Sequence, residues 1–317
     1  MIPAQSHPIP PVLFLVFNRP DLARRVFARI REARPAHLFI AADGPRPDHP
    51  DDVPACRETR LLAAQVDWPC EVKTLFRDAN LGCRAAVSSA ISWFFERVEA
   101  GIVLEDDCLP DPSFFPFCSE LLARYRDDAR VTSIGGDCFF PGGAAAGYSY
   151  SFSAYAHIWG WATWRRAWKL YDPGLEAVDK SRAEQWLAPW LGSAAAGDYW
   201  ASILRRYAAG EIDTWDYPWL FSCWRQRGMS IAPAVNLVSN IGFDSRGAHA
   251  GGGTSTAAGR PLERMEFPLR HPPEVVRDAA LEKKTESLYH GPAAAPQAAW
   301  RRWAAALLRR AAFGKHA

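Results

Sequence analysis

The sequence predicts an α/β fold in which a mainly parallel sheet carries helices on both faces. Three observations predict it. Continuous apolar runs at Val12–Phe17, Leu38–Ala42 and Ile102–Leu104, with a fourth strand-like segment at Glu71–Phe76, read as short strands, the apolar three buried on both sides. Stretches of helical period separate them and are long enough for parallel crossovers. Each run stops in polar residues, so Asn18/Arg19, Asp43/Arg46, Asn80/Arg84 and Glu105–Asp107 are expected together where strands end, the edge at which such sheets hold ligands.

The elements follow in order. After Val12–Phe17, the apolar positions Leu22, Val26, Phe27 and Ile30 predict a helix. Leu38–Ala42 closes in the turn Asp43-Gly44-Pro45-Arg46, and a helix over Ala55–Val66 and the strand Glu71–Phe76 come next. Asn80, Leu81 and Gly82 turn into an amphipathic helix whose apolar face is Ala86, Val87, Ala90, Ile91, Phe94, Phe95 and Val98. Asp111 and Pro112 suit the start of a helix over Phe114–Tyr125, with a strand at Val131–Ile134 beyond it. No period survives from Pro141 to Trp159, which predicts irregular strands and loops over one end of the sheet. Trp159, Trp161, Trp164 and Trp168 are spaced for a partly helical segment, with most of their area in the core and one or two left to line an acceptor cleft. Helices at Arg182–Leu191 and Asp198–Ala209 precede TWDYPWLFSCWRQRG, a helix with Thr214 as N-cap, Asp216 in its first turn and Gly228 at its end. Ser230–Val238 reads as a strand. The expected organisation is one domain over 10–252, with halves at 10–140 and 141–252, and a wrapping tail over 253–317.

Across 317 residues, 49% of them hydrophobic and 14 of them Trp, the chain has ample material for a large core. A net charge of +2 gives no global field for nucleic acid. Seven cysteines without C-x-x-C spacing disfavour a zinc site and a disulfide framework, and fit reduced thiols in a cytoplasmic setting. No apolar run reaches the ~18 residues of a membrane span. The last segment, AAWRRWAAALLRRAAF, is a basic amphipathic helix over 299–313. It suits either the anionic inner face of a cell membrane or a place on its own domain.

The chemistry concentrates at GIVLEDDCLPDPS. Glu105, Asp106 and Asp107 repel one another, and a divalent cation on oxygen ligands would offset that and neutralise a diphosphate; the other reading is a solvated acidic turn. G-x-G-x-x-G and the P-loop pattern are both missing from the sequence, which weakens dehydrogenase and P-loop readings.

VFNRP, the Asp43-Gly44 turn, IVLEDDCLPDPSFF, GWATWRRAW and WDYPW…RGMSIAPAV…IGFDSRGAH occur in the order of nucleotide-sugar glycosyltransferases. The chain resembles the GT-A (Rossmann-like) group, and within it the N-acetylglucosaminyltransferase I family and bacterial family-2-like transferases, over about residues 10–252. The resemblance implies inverting transfer of a hexosyl or N-acetylhexosaminyl group from a UDP-sugar, with Mn²⁺ or Mg²⁺, to a glycan or lipid-linked acceptor in bacterial surface polysaccharide synthesis. It implies Asp107 as metal ligand, Glu105 and Asp106 facing the donor sugar and ribose, and Arg19 and Asp43 at the nucleotide, with Arg84 or Asn80 nearby. It implies Asp216 as general base, although the family has two consecutive acids where this chain has Asp216-Tyr217; Asp213 and Asp244 are the substitutes. His249, in a glycine-rich loop, would meet the diphosphate or the metal, or be merely solvated. Arg165 and Arg166 suit either an acidic acceptor or surface salt bridges. The competing readings are a sugar-phosphate nucleotidyltransferase, whose glycine-rich N-terminal loop VFNRPDLARR lacks, and a non-catalytic carbohydrate-binding protein on the same fold.

Overall fold

The computed structural model describes residues 7–140, 147–176, 183–242 and 259–290. Its centre is an eight-stranded sheet. The first half alternates strand and helix: β1 (Val12–Val16), α1 (Pro20–Ala33), β2 (His37–Ala42), α2 (Asp52–Arg60) with a 3₁₀ turn at Leu61–Gln65, β3 (Glu71–Phe76), α3 (Gly82–Phe95) and β4 (Ala100–Glu105). After the short β5 (Cys108–Pro110) come α4 (Phe114–Arg124), β6 (Val131–Gly135), β7 (Tyr150–Ser153), β8 (Trp161–Trp164) and α5 (Arg165–Trp168). Then follow α6 (Ala183–Leu191), α7 (Ala194–Ala208), α8 (Asp216–Arg225), β9 (Met229–Pro233), β10 (Val238–Asn240) and α9 (Ala279–His290).

The strand order is β3-β2-β1-β4-β8-β6-β9-β7, and β5 pairs with β10 in a separate two-stranded ribbon. β1 to β4 are mutually parallel, as is β6 with β9; β8 runs antiparallel between β4 and β6, and β7 antiparallel along β9. The mainly parallel sheet expected from the apolar runs is therefore present.

Those runs are buried on both faces because successive side chains point to opposite layers. Val12, Phe14 and Val16 meet α1 and α4 through Val26, Phe27, Phe114 and Phe117. Leu13 and Leu15 meet α3, α5 and α8 through Ile91, Phe94, Trp168 and Trp219. A third cluster lies outside the sheet, where Leu220, Phe221 and Trp224 of α8 pack on α6 and α7. α8 thus lies between the sheet and an outer helical layer.

The Trp segment is partly helical and mostly in the core, as expected, but its helix is shorter than the spacing suggested. Trp161–Trp164 is a strand inserted into the sheet, and only Arg165–Trp168 is helical. The alternation of a strand explains the burial: Trp161 enters the α3/α8 layer, whereas Ala162 and Trp164 enter the α1/α4 layer. Arg165 and Arg166 are used locally, Arg165 on the carbonyls of Phe95 and Val98 and Arg166 on those of Tyr125, Arg126 and Val131. Thr214 is not a cap; its hydroxyl donates to the Asp216 carboxylate. Arg227, with φ 53°, takes the left-handed position expected of Gly228. Asp111 accepts from the amide and hydroxyl of Ser113, which itself holds the N-cap position of α4, two residues further on.

Residues 259–265 bond to Asn240, Asn236 and Ser113, and residues 270–278 run along the β7 edge. Asp278 donates its amide to Phe152, and buried Glu282 accepts from the Ala154 amide at 2.6 Å and from Arg277 Nε at 2.8 Å. All seven cysteines are unpaired thiols. Among the described residues no helix is long and apolar enough to cross a membrane, and the basic segment 299–313 lies outside them.

At the end of β6, buried Asp137 and His157 form an ion pair, Oδ2 to Nδ1, at 3.0 Å. Burial alone would lower the imidazole pKa, but the Asp137 charge reverses this and raises it. The charged form is therefore favoured by folding. Its contribution is complete below the unfolded value of about 6.5 and is lost as pH rises through the higher folded value. His157→Gln leaves a buried carboxylate unpaired and is expected to cost about 3–5 kcal/mol near pH 6, narrowing at alkaline pH. Urea unfolding of both proteins across pH 5–9 measures it; a pH-independent gap would mean that His157 is neutral.

Candidate active site

The order β3-β2-β1-β4 reverses direction at β1: the chain steps outward to β2 and β3, then returns to the other side of β1 as β4. Helix α1 covers one face and α3 the other, so the carboxyl ends of β1 and β4 form the switch point at which sheets of this type take ligands. Arg19 leaves β1 there, and Glu105, Asp106 and Asp107 end β4.

These groups are bonded to one another. Arg19 Nη2 donates to Asp106 Oδ1 at 2.6 Å and to Asp107 Oδ2 at 2.8 Å, and the Phe17 amide donates to Asp106 Oδ2 at 3.2 Å. The β5/β10 ribbon closes the same spot from the far end of the chain. Ile241 donates its amide to the Asp107 carbonyl at 2.8 Å, and Gly242 follows directly over the carboxylate. A Cβ on Gly242 would stand 2.1 Å from Asp107 Oδ2 and 2.6 Å from Arg19 Nη1, so only glycine fits.

The electrostatics are those of crowded acids. Burial, followed by the charges of Asp107 and Asp106, pushes the Glu105 carboxyl up to about 8. Burial also pushes Asp106 up, to about 6, against the opposing pull of Arg19. Burial would lower the Arg19 pKa, and the two carboxylates more than reverse that, leaving it raised.

The next strand end is spent on its own loop. Asp43 Oδ1 accepts from the amides of Gly44 and Leu81, and Oδ2 from the Gly82 amide and Asn80 Nδ2. Asn80 Nδ2 also reaches the Gly44 carbonyl at 2.9 Å. A Cβ on Gly44 would lie 2.3 Å from the Ala79 carbonyl carbon, so the two turns touch backbone to backbone. Asp43 and Asn80, expected at the nucleotide, therefore tie the β2 end to the start of α3.

Asp52, which the sequence did not single out, joins the first two loops. It accepts from Asn18 Nδ2 at 2.6 Å and from Arg46 Nε at 2.7 Å, and chiefly the Arg46 bonds hold its carboxyl down at about 2. The one sequence signal for it was an acid in a first helical turn.

Asp216 opens α8. Its Oδ1 accepts from Thr214 and, at 2.9 Å, from the Tyr217 amide. Its charge is the smallest of the contributions that raise the Glu105 pKa, so the two carboxylates lie within electrostatic range of each other. Cys83, at the start of α3, feels both charges: burial, then Glu105 and Asp216, raise its pKa. Arg84 pairs with Asp213 at 3.0 Å and borders Tyr207, bracing α3 against α7 and the approach to α8. His249 and Asp244 lie outside the described residues.

Among the described residues, no group of three or more His, Cys, Asp or Glu side chains is arranged to hold a metal ion. The described residues alone thus form no metal cage. The donor chemistry does suit a hard divalent ion carried with phosphate, because Mg²⁺ commonly takes one or two carboxylates and completes its shell with substrate oxygens and water. Asp107 accepts from Arg19 through Oδ2 at 2.8 Å and from the Cys108 thiol through Oδ1 at 3.6 Å.

Comparison with protein-family models finds no match, and none is found among curated proteins. Among solved structures, the inositol-1-phosphate CTP transferase from T. maritima is similar over 54% of this chain and 76% of that one, with 9% identity and a TM-score of 0.30. At that level the similarity carries no functional argument.

Proposed function

We propose that the protein is an inverting glycosyltransferase that moves a sugar from a UDP-sugar to a hydroxyl of a glycan or lipid-linked acceptor, with Mn²⁺ or Mg²⁺. One observation supports this above the rest. An arginine-bound acidic tip ends β4 at the switch point of a parallel sheet, and a second carboxylate, Asp216 at the start of α8, lies within electrostatic range of it. The motif order of the sequence, from VFNRP through EDD to WDYPW, points the same way.

In this reading the nucleotide lies over the ends of β1 and β4, with Arg19 toward its phosphates. Asp107 holds the divalent ion, which supplies charge neutralisation to the departing diphosphate. Glu105 and Asp106 face the donor sugar and ribose. Asp216 takes the proton of the acceptor hydroxyl as that oxygen bonds to the anomeric carbon. The bond from that carbon to the diphosphate breaks on the opposite face, its electron pair leaves with the phosphate oxygen, and the configuration inverts. The Thr214 and Tyr217 contacts fix Oδ1 of Asp216 and so aim the carboxylate. Arg84 and Asn80 border the site from α3, and His249 is the loop group proposed to meet the diphosphate. A place in bacterial surface polysaccharide synthesis, peripheral to the inner face of the membrane through 299–313, belongs to the same proposal.

Calorimetric titration with UDP and a panel of UDP-sugars, with and without Mn²⁺, tests the donor. Asp107→Ala is expected to abolish the metal-dependent part of UDP binding, and unchanged affinity would remove the ion from that carboxylate. Asp216→Asn is expected to keep UDP affinity while lowering transfer by about 10²–10⁴-fold, the usual contribution of a general base. Turnover equal to wild type would move the base elsewhere.

A further inference from the structure

We infer that Asp137 and His157, covered by Phe139, form a subsite that takes the hydroxyls of an acceptor pyranose. The inference rests on the transfer reading above and adds to it the class and the place of the acceptor. Trp161 of β8 pairs in register with Val103 of β4 on one side and with Gly135 of β6 on the other, and both strands run antiparallel to it. β4 and β6 therefore end on the same edge of the sheet, about 10 Å apart, which is two interstrand spacings. Asp137 lies two residues beyond Gly135, and Glu105 two beyond Val103. A group held at Asp137 thus stands beside the end of β4.

The hydrogen-bonding capacity of the pair is unused. Asp137 is 2% exposed and His157 8%, and their 3.0 Å contact balances the two charges. That contact lacks the alignment of a hydrogen bond: among the described residues neither Asp137 oxygen nor His157 Nδ1 has a hydrogen-bond partner. A carboxylate can accept about four hydrogen bonds, and buried acceptors left without any are rare and costly. For stability alone, apolar side chains of similar size would serve as well or better. A buried carboxylate with both oxygens open suits a ligand that brings donors.

The cover has the chemistry of a sugar platform. The Phe139 ring lies 4.6 Å from the imidazole and 5.4 Å from the Trp159 indole, at 89° to the latter, and both aromatic residues are half-buried. The main chain beneath is anchored from later in the sequence: Arg260 Nη1 donates to the Phe139 carbonyl at 2.7 Å, and Asn236 Oδ1 accepts from the Cys138 amide at 2.9 Å. Rotation of the Phe139 side chain is then the short motion that uncovers the carboxylate, and rotamer changes of this kind are common on binding. A pyranose has hydroxyl donors around its rim and C–H groups on its faces. Two neighbouring hydroxyls fit the two oxygens of Asp137, while one C–H face lies on the aromatic ring, whose face carries partial negative charge.

Saturation-transfer NMR with the methyl glycosides of glucose, galactose, mannose and N-acetylglucosamine, without nucleotide, reads this apart from turnover. Wild type is expected to bind at least one of them, with transfer concentrated on the C–H groups of one ring face. Asp137→Asn, its fold checked by circular dichroism, is expected to weaken that glycoside by about 10–100-fold, the loss of hydrogen bonds to a charged acceptor. Phe139→Leu is expected to weaken it by about two- to tenfold and to erase the one-face pattern. This second variant changes a half-buried side chain and carries the test should Asp137→Asn fail to fold. A wild type that binds none of the glycosides, or folded variants that bind them as wild type does, overturns the subsite, and the donor reading stands if UDP binds the same sample. Glycoside binding by a protein with no affinity for UDP defeats the donor reading and removes the acceptor role with it.

Discussion

Three consecutive carboxylates at the end of a buried strand are the constraint to which the rest of the molecule answers. Glu105, Asp106 and Asp107 leave β4 with little solvent to dilute their repulsion, and the raised pKa values of the first two register that cost. The compensation is assembled from distant parts of the chain. Arg19 comes from the end of β1, the Phe17 amide from the same turn, and the backbone of 241–242 from beyond β10. Such an arrangement is not a net source of stability, since bringing the charges out of water costs about as much as pairing them returns. It persists only because the sheet holds β1 and β4 side by side. The β5/β10 ribbon then presses one residue without a side chain against the pair.

The first half of the fold was legible because its signals are local. Apolar runs marked β1, β2 and β4, and the face containing Ala90, Ile91, Phe94 and Phe95 marked α3. Parallel pairing followed from helical crossovers, and it places Arg19, Asp43, Asn80 and the EDD acids on one edge. What those side chains do with their hydrogen bonds was not legible. Asp43 is indistinguishable in sequence from an acid poised for a ligand, yet its oxygens serve a loop some 38 positions away. The Arg19 pairs span 87 and 88 positions, and no local pattern announces them.

The aromatic segment misled for a physical reason. Indole side chains at 161, 164 and 168 fit a helical spacing, but bulky aromatics also suit a pleated surface, and tertiary pairing decided the matter. β8 gains its hydrogen bonds from β4 on one side and β6 on the other, both non-local. Asp52 escaped notice because a carboxylate in a first helical turn has an ordinary explanation, and its partners Asn18 and Arg46 lie in two different loops.

The misread strand is also what connects the acidic tip to Asp216. Trp161 of β8 stacks on Trp215 at 5.7 Å and meets Trp219 of α8 at 5.6 Å. Trp215 is the residue immediately before Asp216, and Trp161 pairs in register with Val103, two residues before Glu105. The acidic tip and the facing carboxylate therefore hang from neighbouring strands through one buried indole contact. On the outer side, Trp224 of α8 packs edge-on against Trp200 of α7 at 5.0 Å, so the helix is gripped from both layers. Chemistry between a base and a reacting centre is sensitive to displacements of about 1 Å. A helix wedged between rigid aromatic surfaces meets that tolerance better than a loop would. On the proposed reading, in which Asp216 is the base, these buried indole contacts are what fix that carboxylate relative to the end of β4.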